Sequence, residues 1–250
     1  MDVSPRFTRT KLLLGDEAFA RLTAGHVAVI GLGAVGGYAV EGLARAGVGR
    51  LTVVDFDTIQ PSNINRQILA LESTIGETKA GAARHRILEI NPACQVQALH
   101  CFADSTTIQE ILALLPDVVI DAIDSLNPKM QILSACHQRQ VKVFSSMGAA
   151  LRSDPLRIRI GDIAETNACP LARRLRKRLR SAGIASGITC VYSTEQVEFD
   201  YQPPDNADRL ATDPQRGRTR RTLGSLPTLT AMFGLILANE VIKWLAGDPP

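Results

Sequence analysis

Short, continuous apolar runs recur through the first 150 residues: His26-Val27-Ala28-Val29-Ile30, Leu51-Thr52-Val53-Val54-Asp55, Val118-Val119-Ile120 and Val141-Lys142-Val143-Phe144. Runs this short, ended by glycine or an acidic residue, predict strands buried on both faces of a parallel sheet. Val96 to Leu99 alternates as a further strand. Between the runs, apolar positions return at helical spacing over residues 35–44, 78–90, 108–115 and 128–139, the second stretch being stopped by Asn91-Pro92. Strand, helix and strand in this order make a right-handed crossover unit. Residues 26–150 are therefore expected to form a doubly wound, mostly parallel α/β domain, after an N-terminal arm and helix over residues 1–25.

The pattern changes beyond Ala150. Leu156 to Ile160 and Ile188 to Tyr192 predict strands, with a basic helix, Leu171 to Arg180, between them. Residues 151–250 are expected to form a smaller C-terminal α+β extension. Residues 202–222 are polar, carry prolines and arginines and show neither period, which predicts a flexible loop. Pro227 to Ala246 predicts a helix that packs back on the sheet. Glu240 and Lys243 interrupt its apolar stretch, so a core or interface helix is expected and no transmembrane segment.

Composition narrows the class. With 250 residues, 45% of them hydrophobic, the chain can bury a full core, and disorder throughout is excluded. The net charge of +3 comes from unevenly spread arginines, so local runs say more about partners than the average does. Cys94, Cys101, Cys136, Cys169 and Cys190 are odd in number and far apart, which suits a reducing cytoplasm. No CxxC pair occurs, and no structural zinc is expected. Leu12-Leu13-Leu14 is too brief, and too soon followed by Asp16 and Glu17, for a signal sequence.

Gly31-Leu32-Gly33-Ala34-Val35-Gly36 follows a predicted strand and opens a predicted helix. In that Rossmann-like context the glycines allow a tight turn and let phosphate approach backbone N–H groups at the positive end of a helix. Glycine turns also occur for packing alone, but the flanking strands and Asp55 at the end of the next strand, where it can accept bonds from ribose hydroxyls, favour a nucleotide. This motif does not choose among NAD, FAD and ATP.

The charged residues that follow do choose. Asp57, then Pro61-Ser62-Asn63-Ile64-Asn65-Arg66-Gln67, then Lys79 at a helix start, lie where a redox enzyme has little use for them. Attack on an α-phosphate needs cations around the phosphorus and the departing pyrophosphate, and Arg66 and Lys79 are of the right type. Asp121-Ala122-Ile123-Asp124 places carboxylates at the carboxyl edge of the sheet, where a hard oxygen ligand suits Mg²⁺. Asp124 is preferred over Asp121 as the metal ligand, Asp121 having the alternative role of holding a loop.

The segments RFTRTKLLLG, GLGAVGGYAVEGLARAGVGRLTVVDFDTIQPSNINRQ, GETKA, INP and DAID resemble, in order, the ubiquitin-activating-enzyme-like (ThiF/MoeB/HesA) superfamily, which includes the molybdopterin-synthase and thiamine-pathway adenylyltransferases. In the second half, SSMGAALRSDPLRIRIGDIAETNACPLARRLRKRLR and GITCVYSTE look most similar to the tRNA threonylcarbamoyladenosine dehydratases.

The resemblance implies that ATP is held by Gly31, Gly33, Ala34, Gly36, Asp55, Asp57 and Asn63, with Arg66 and Lys79 around the phosphates and Asp124 on magnesium. It also implies that Arg9 reaches into the neighbouring subunit's site, and hence a homodimer. The reaction implied is adenylation of the threonyl carboxylate on a modified adenosine of tRNA, then ring closure by a nitrogen of the same urea group, already tethered beside it. Some relatives are linked to cysteine desulfurase systems, so a cysteine desulfurase or a sulfur-acceptor protein stands among the partners it allows.

Arg173, Arg174, Arg176, Lys177, Arg178 and Arg180, with Leu171, Leu175 and Leu179 at helical spacing, form either a tRNA phosphate surface or a solvated helix. Arg216, Arg218, Arg220 and Arg221 are candidates for the same surface. Cys169 and Cys190 are read as buried structural cysteines. Two other functions remain to be separated: a sulfur-carrier adenylyltransferase, against which the missing CxxC pairs and the basic helix argue, and a non-catalytic nucleotide-binding subunit, which would not need Arg66, Lys79 and Asp124.

Overall fold

The computed structural model describes residues 5–197 and 223–247. The loop expected over 202–222, with its arginines, lies outside them. After a short 3-10 turn, Pro5–Phe7, the chain forms helices α1 (Thr8–Leu14) and α2 (Asp16–Ala24). They are separated at Gly15, whose φ of +82° no helix can accommodate. The expected N-terminal helix is thus two.

The doubly wound unit follows: β1 (His26–Ile30), α3 (Gly36–Ala46), β2 (Arg50–Val54), α4 (Lys79–Ile90), β3 (Gln95–Leu99), α5 (Ser105–Ala113), β4 (Val118–Asp121), α6 (Leu126–Gln138) and β5 (Lys142–Ser146). Two helix starts are set by side-chain caps. Thr78 accepts from Gly81 N–H, and Asp104 accepts from the N–H groups of Thr106 and Thr107, satisfying donors that a first helical turn leaves unpaired. The Asp104 cap starts α5 three residues before the apolar pattern begins to show it.

Strands β6 (Ile158–Asp162) and β7 (Thr189–Ser193), with α7 (Pro170–Ser181) between them, continue the same sheet. The strand order is β3-β2-β1-β4-β5-β7-β6. Pairs from β3 to β7 are parallel, and β6 runs antiparallel at the edge. The strands expected in a C-terminal extension therefore lengthen the sheet past residue 150. β6 starts two residues later than its apolar run because Pro155–Arg157 forms a 3-10 turn capped by Asp154.

The side-chain period of two sorts each strand between two cores. Val27, Val29, Val53 and Ile120 face α2, α3, α4 and α8 (Pro227–Ala246), while Ala28, Ile30, Val54 and Val119 face α5, α6 and α7. By length and composition α8 could cross a membrane. It instead buries Leu229, Phe233, Leu237 and Val241 in the core and packs on α2 and α3, as its pattern predicts.

Candidate nucleotide-binding site

The strand order reverses between β1 and β4, which opens a crevice at the carboxyl edge of the sheet. The glycine turn lies there. Gly31 N–H donates to Val54 O at 2.8 Å with φ +90°, and a Cβ on it would stand 3.1 Å from Ala122 O. A Cβ on Gly36 would stand 1.7 Å from Gly31 O, so any side chain there opens the turn. Gly33 differs: among the described residues beyond its chain neighbours, a Cβ on it would find within 4 Å only Gln67 Nε2, at 3.9 Å. Two glycines are consumed by the turn itself, and the third leaves its backbone approachable from the crevice, beside the half-buried Ala34 and the start of α3.

Asp55, just past β2, is buried and tied to this turn. One carboxylate oxygen accepts from Leu32 N–H at 2.6 Å, the other from Asp57 N–H at 2.9 Å. Burial pushes its pKa up, against the pull of the Lys79 charge and of those two N–H bonds. Lys79, 5% exposed at the first position of α4, places Nζ 2.7 Å from Asp57 Oδ2. Its backbone N–H also donates to Asp57 O, and a bridge between Thr58 and Thr78 holds the two segments together. The cation predicted at the pocket mouth thus arrives with its own carboxylate.

Asn63 ends the 3-10 turn Pro61–Asn63, and its Oδ1 accepts from Gln60 N–H, so its amide is spent in part on the local turn. The half-buried Arg66 folds over the same loop, Nη1 donating to Ser62 O and Asn65 Oδ1, each at 2.8 Å. The next residue, Gln67, is buried and turned toward Gly33.

Asp121 and Asp124 part company. Asp121 is fully buried, its Oδ2 accepting from Lys129 Nζ at 2.6 Å and Ser145 Oγ at 2.7 Å and its Oδ1 from Ile123 N–H at 3.2 Å. Lys129 Nζ donates as well to Ser145 Oγ and Ser146 O. Asp121 thus holds the loop, with both of its oxygens accepting hydrogen bonds. Asp124, exposed at the carboxyl edge, directly follows the Ala122-Ile123 segment that touches Gly31. A Mg²⁺ site commonly asks only one or two carboxylates of the protein, and Asp124 is a carboxylate of this edge that could supply one. Among the described residues no group of three or more His, Cys, Asp or Glu side chains comes together.

The glycine turn of Gly31, Gly33, Ala34 and Gly36 is therefore touched by Asp55, by Gln67 at the end of the Asn63–Gln67 segment and by the Ala122-Ile123 segment that leads to Asp124, and Asp57 and Lys79 adjoin it through Asp55. Arg9 is not among them. It is exposed on α1, two residues beyond Phe7, whose ring lies against Gly47 at the far end of α3, about 16 Å of helix away from the glycine turn. Sequence reading missed the Lys129-Asp121-Ser145 cluster, because a lysine in an amphipathic helix carries no sign of burial. It also quoted Gln67 as part of a run without assigning it a role.

α7 borders the same edge. Cys169, its N-cap, packs near Gly148 just past β5, and Arg178 Nη1 bonds Asn127 Oδ1 at 2.5 Å in the first turn of α6. Leu175 and Leu179 are buried as their spacing predicts; Arg176 turns inward onto Thr166. Arg173, Arg176, Lys177 and Arg180 line an open surface hollow. Arg152, 4% exposed, donates to Gly148 O, Ala168 O and Glu195 O and so fastens three loops of this edge together. Cys169 and Cys190 are buried, as expected; burial pushes the Cys94 thiol up to about 11 and the Cys136 thiol up to about 12, and raises that of Cys190 too.

Known proteins share this arrangement. The chain is 41% identical over 244 residues to the tRNA threonylcarbamoyladenosine dehydratase of Bacillus subtilis, across 97% of this chain and 95% of that one. The crystal structure of the Escherichia coli tRNA N6-threonylcarbamoyladenosine dehydratase in complex with ATP superposes with a TM-score of 0.85 at 31% identity, covering 99% of this chain and 98% of that one. The molybdopterin-synthase adenylyltransferase of Salmonella typhimurium is 34% identical over 151 residues, 60% of this chain and 59% of its own. The ThiF family matches over residues 7–250, nearly the full length, and the chain belongs to that family.

Proposed function

We propose that this protein uses ATP to cyclise threonylcarbamoyladenosine in tRNA, through an adenylated carboxylate. The observation that carries the reading is the open backbone at Gly33, in a turn tied to Asp55, with Asp57 and Lys79 next to Asp55 and the Ala122-Ile123 segment that leads to Asp124 against Gly31. The adenosine ribose lies against Asp55, and the triphosphate on the glycine turn at the positive end of α3. A carboxylate oxygen of the threonyl group attacks the α-phosphorus; the new C–O–P link forms as the bond to the β-phosphate oxygen breaks and pyrophosphate leaves.

Lys79 and Arg66 offset the charge that builds on phosphate and leaving group. Lys79 does so by exchanging part of its bond to Asp57, and Arg66 by leaving its own loop carbonyl. Asp124 would hold Mg²⁺, which supplies charge neutralisation at the phosphates. A nitrogen of the urea group then attacks the adenylated carbonyl carbon, the C–O bond to AMP breaks, and the nitrogen gives up its proton.

Residues 26–150 serve the nucleotide, and residues 151–250 face tRNA. The hollow on α7 suits backbone phosphates, since Arg173, Lys177 and Arg180 stand exposed beside the edge that holds the glycine turn. A homodimer accounts for Arg9: an arginine so far from its own crevice can act in a partner's. Exposed Leu12 and Leu13 on α1, with Met232, Leu235 and Trp244 on α8, offer apolar surface for such pairing. The cytoplasm is the compartment proposed.

Match over the second half of the chain favours the dehydratase over a sulfur-carrier adenylyltransferase. The test is mass analysis of tRNA nucleosides after incubation with ATP and Mg²⁺. Loss of one water from threonylcarbamoyladenosine, with one AMP formed for each, is expected. Unchanged nucleosides, together with pyrophosphate exchange only on a small carrier protein, would overturn it.

A further inference from the structure

Gln67 is 7% exposed, and its side-chain Oε1 is buried with no hydrogen-bond partner among the described residues. Among the described residues beyond its chain neighbours, its Nε2 is the heavy atom found within 4 Å of where a Cβ on Gly33 would stand, at 3.9 Å. The residues after it, Ile68 and Leu69, pack on Gly37 in the first turn of α3, with Ile68 Cγ2 3.2 Å from where a Cβ there would be. The amide is thus pinned over the open side of the glycine turn, beside the positive end of a helix.

A buried amide without a partner destabilises the fold that carries it. An apolar side chain of similar volume would pack there without that penalty. Holding a carboxamide at this place makes sense when its other end, the Nε2 beside Gly33, has a ligand to bond. The two ends of an amide are interchangeable by rotation, so either can be turned toward the turn. The neighbourhood selects the end: a helix N-terminus attracts anions, and toward an anion the amide turns its N–H.

We infer that Gln67 is a nucleotide-binding residue that donates its amide N–H to an oxygen of the phosphate seated over Gly33. This rests on the nucleotide site proposed above. Its charge is zero, so it differs from Arg66 and Lys79 in kind: it fixes where the phosphate sits without adding to the field that draws pyrophosphate away. It stands beside the backbone of Gly33 and adds a side-chain donor to the main-chain donors of the turn.

The experiment is calorimetric titration of ATP, AMP and adenosine into wild type, Gln67→Met and Gln67→Glu, with thermal melting of each protein alone. Gln67→Met should bind ATP about 10- to 100-fold more weakly, the loss expected for one hydrogen bond to a charged group. It should bind adenosine as wild type does and melt no lower than wild type, because an unpaired amide has been replaced by a thioether. Gln67→Glu, which keeps the shape and adds a negative charge, should weaken ATP further and again spare adenosine; it carries the test if the methionine variant does not fold.

Equal ATP affinity in all three proteins would overturn the inference and leave the nucleotide site standing. Equal losses for ATP and adenosine, with a lowered melting temperature, would make Gln67 a packing residue and overturn it too. Failure of wild type to bind ATP would remove the site itself.

Discussion

Adding a methyl group at two points of the glycine turn should have opposite consequences. At Gly33 the new methyl meets Gln67 Nε2 at 3.9 Å, an ordinary contact, and the residue is not among the glycines with positive φ. Gly33→Ala should therefore fold. Restricting the unfolded chain at a compatible site stabilises by about 0.4 to 1 kcal/mol, which for a chain of this size raises Tm by about 1 to 4 °C. The same methyl occupies the surface on which phosphate must rest. Losing one backbone N–H bond to a charged phosphate costs about 1.5 to 3 kcal/mol, or about 10- to 100-fold in ATP affinity. At Gly36 the methyl would lie 1.7 Å from Gly31 O, backbone that cannot move without breaking the turn. Gly36→Ala should then cost about 3 kcal/mol of stability. Differential scanning fluorimetry with and without ATP, followed by isothermal titration of ATP into each folded variant, reads both effects. A stable Gly33→Ala protein with wild-type ATP affinity would refute the placement of phosphate on this turn. Equal destabilisation of the two variants would refute the packing argument.

Lys129→Met should lose about 3 to 5 kcal/mol, since it strands the Asp121 carboxylate in the core, and the double variant Lys129→Met with Asp121→Asn should recover much of it in urea unfolding; no recovery would show that the ion pair is not the cause. Arg9→Ala and Lys79→Ala should each abolish turnover yet regain about a quarter of wild-type activity when refolded as a mixture, because in half of the dimers one site then has both residues; no regain would exclude action across an interface. Burial alone would raise the Glu41 pKa, but its bonds to Arg86 and Arg45 win and hold it below the ordinary 4.5. The stability this contributes is present above that value and is lost as pH falls through the folded one. Glu41→Gln should accordingly melt below wild type at pH 7, with the gap closing as pH is taken below about 4.5; a gap that is constant with pH would refute it.

Much of this molecule is written in local pattern. Strand runs such as 27–30 and 118–120 are apolar at every position because both faces are covered, and that constraint is visible in the residues themselves. The glycine turn, Asp55 and the stripe of Leu175 and Leu179 could be read because short-range geometry demands those residue types at those spacings. Local pattern could not decide partners across the sheet. That β7 pairs with β5 and β6 closes the edge depends on long-range contacts, so the second half of the chain looked like an addition and is a continuation. Nor could it show that Lys79 comes with Asp57, that Lys129 is fully buried, or that Gln67 buries an unpartnered Oε1 while its Nε2 lies over Gly33. Burial and hydrogen-bond satisfaction belong to the environment that the folded chain builds around a residue, and a polar side chain carries the same letter in solvent and in the core.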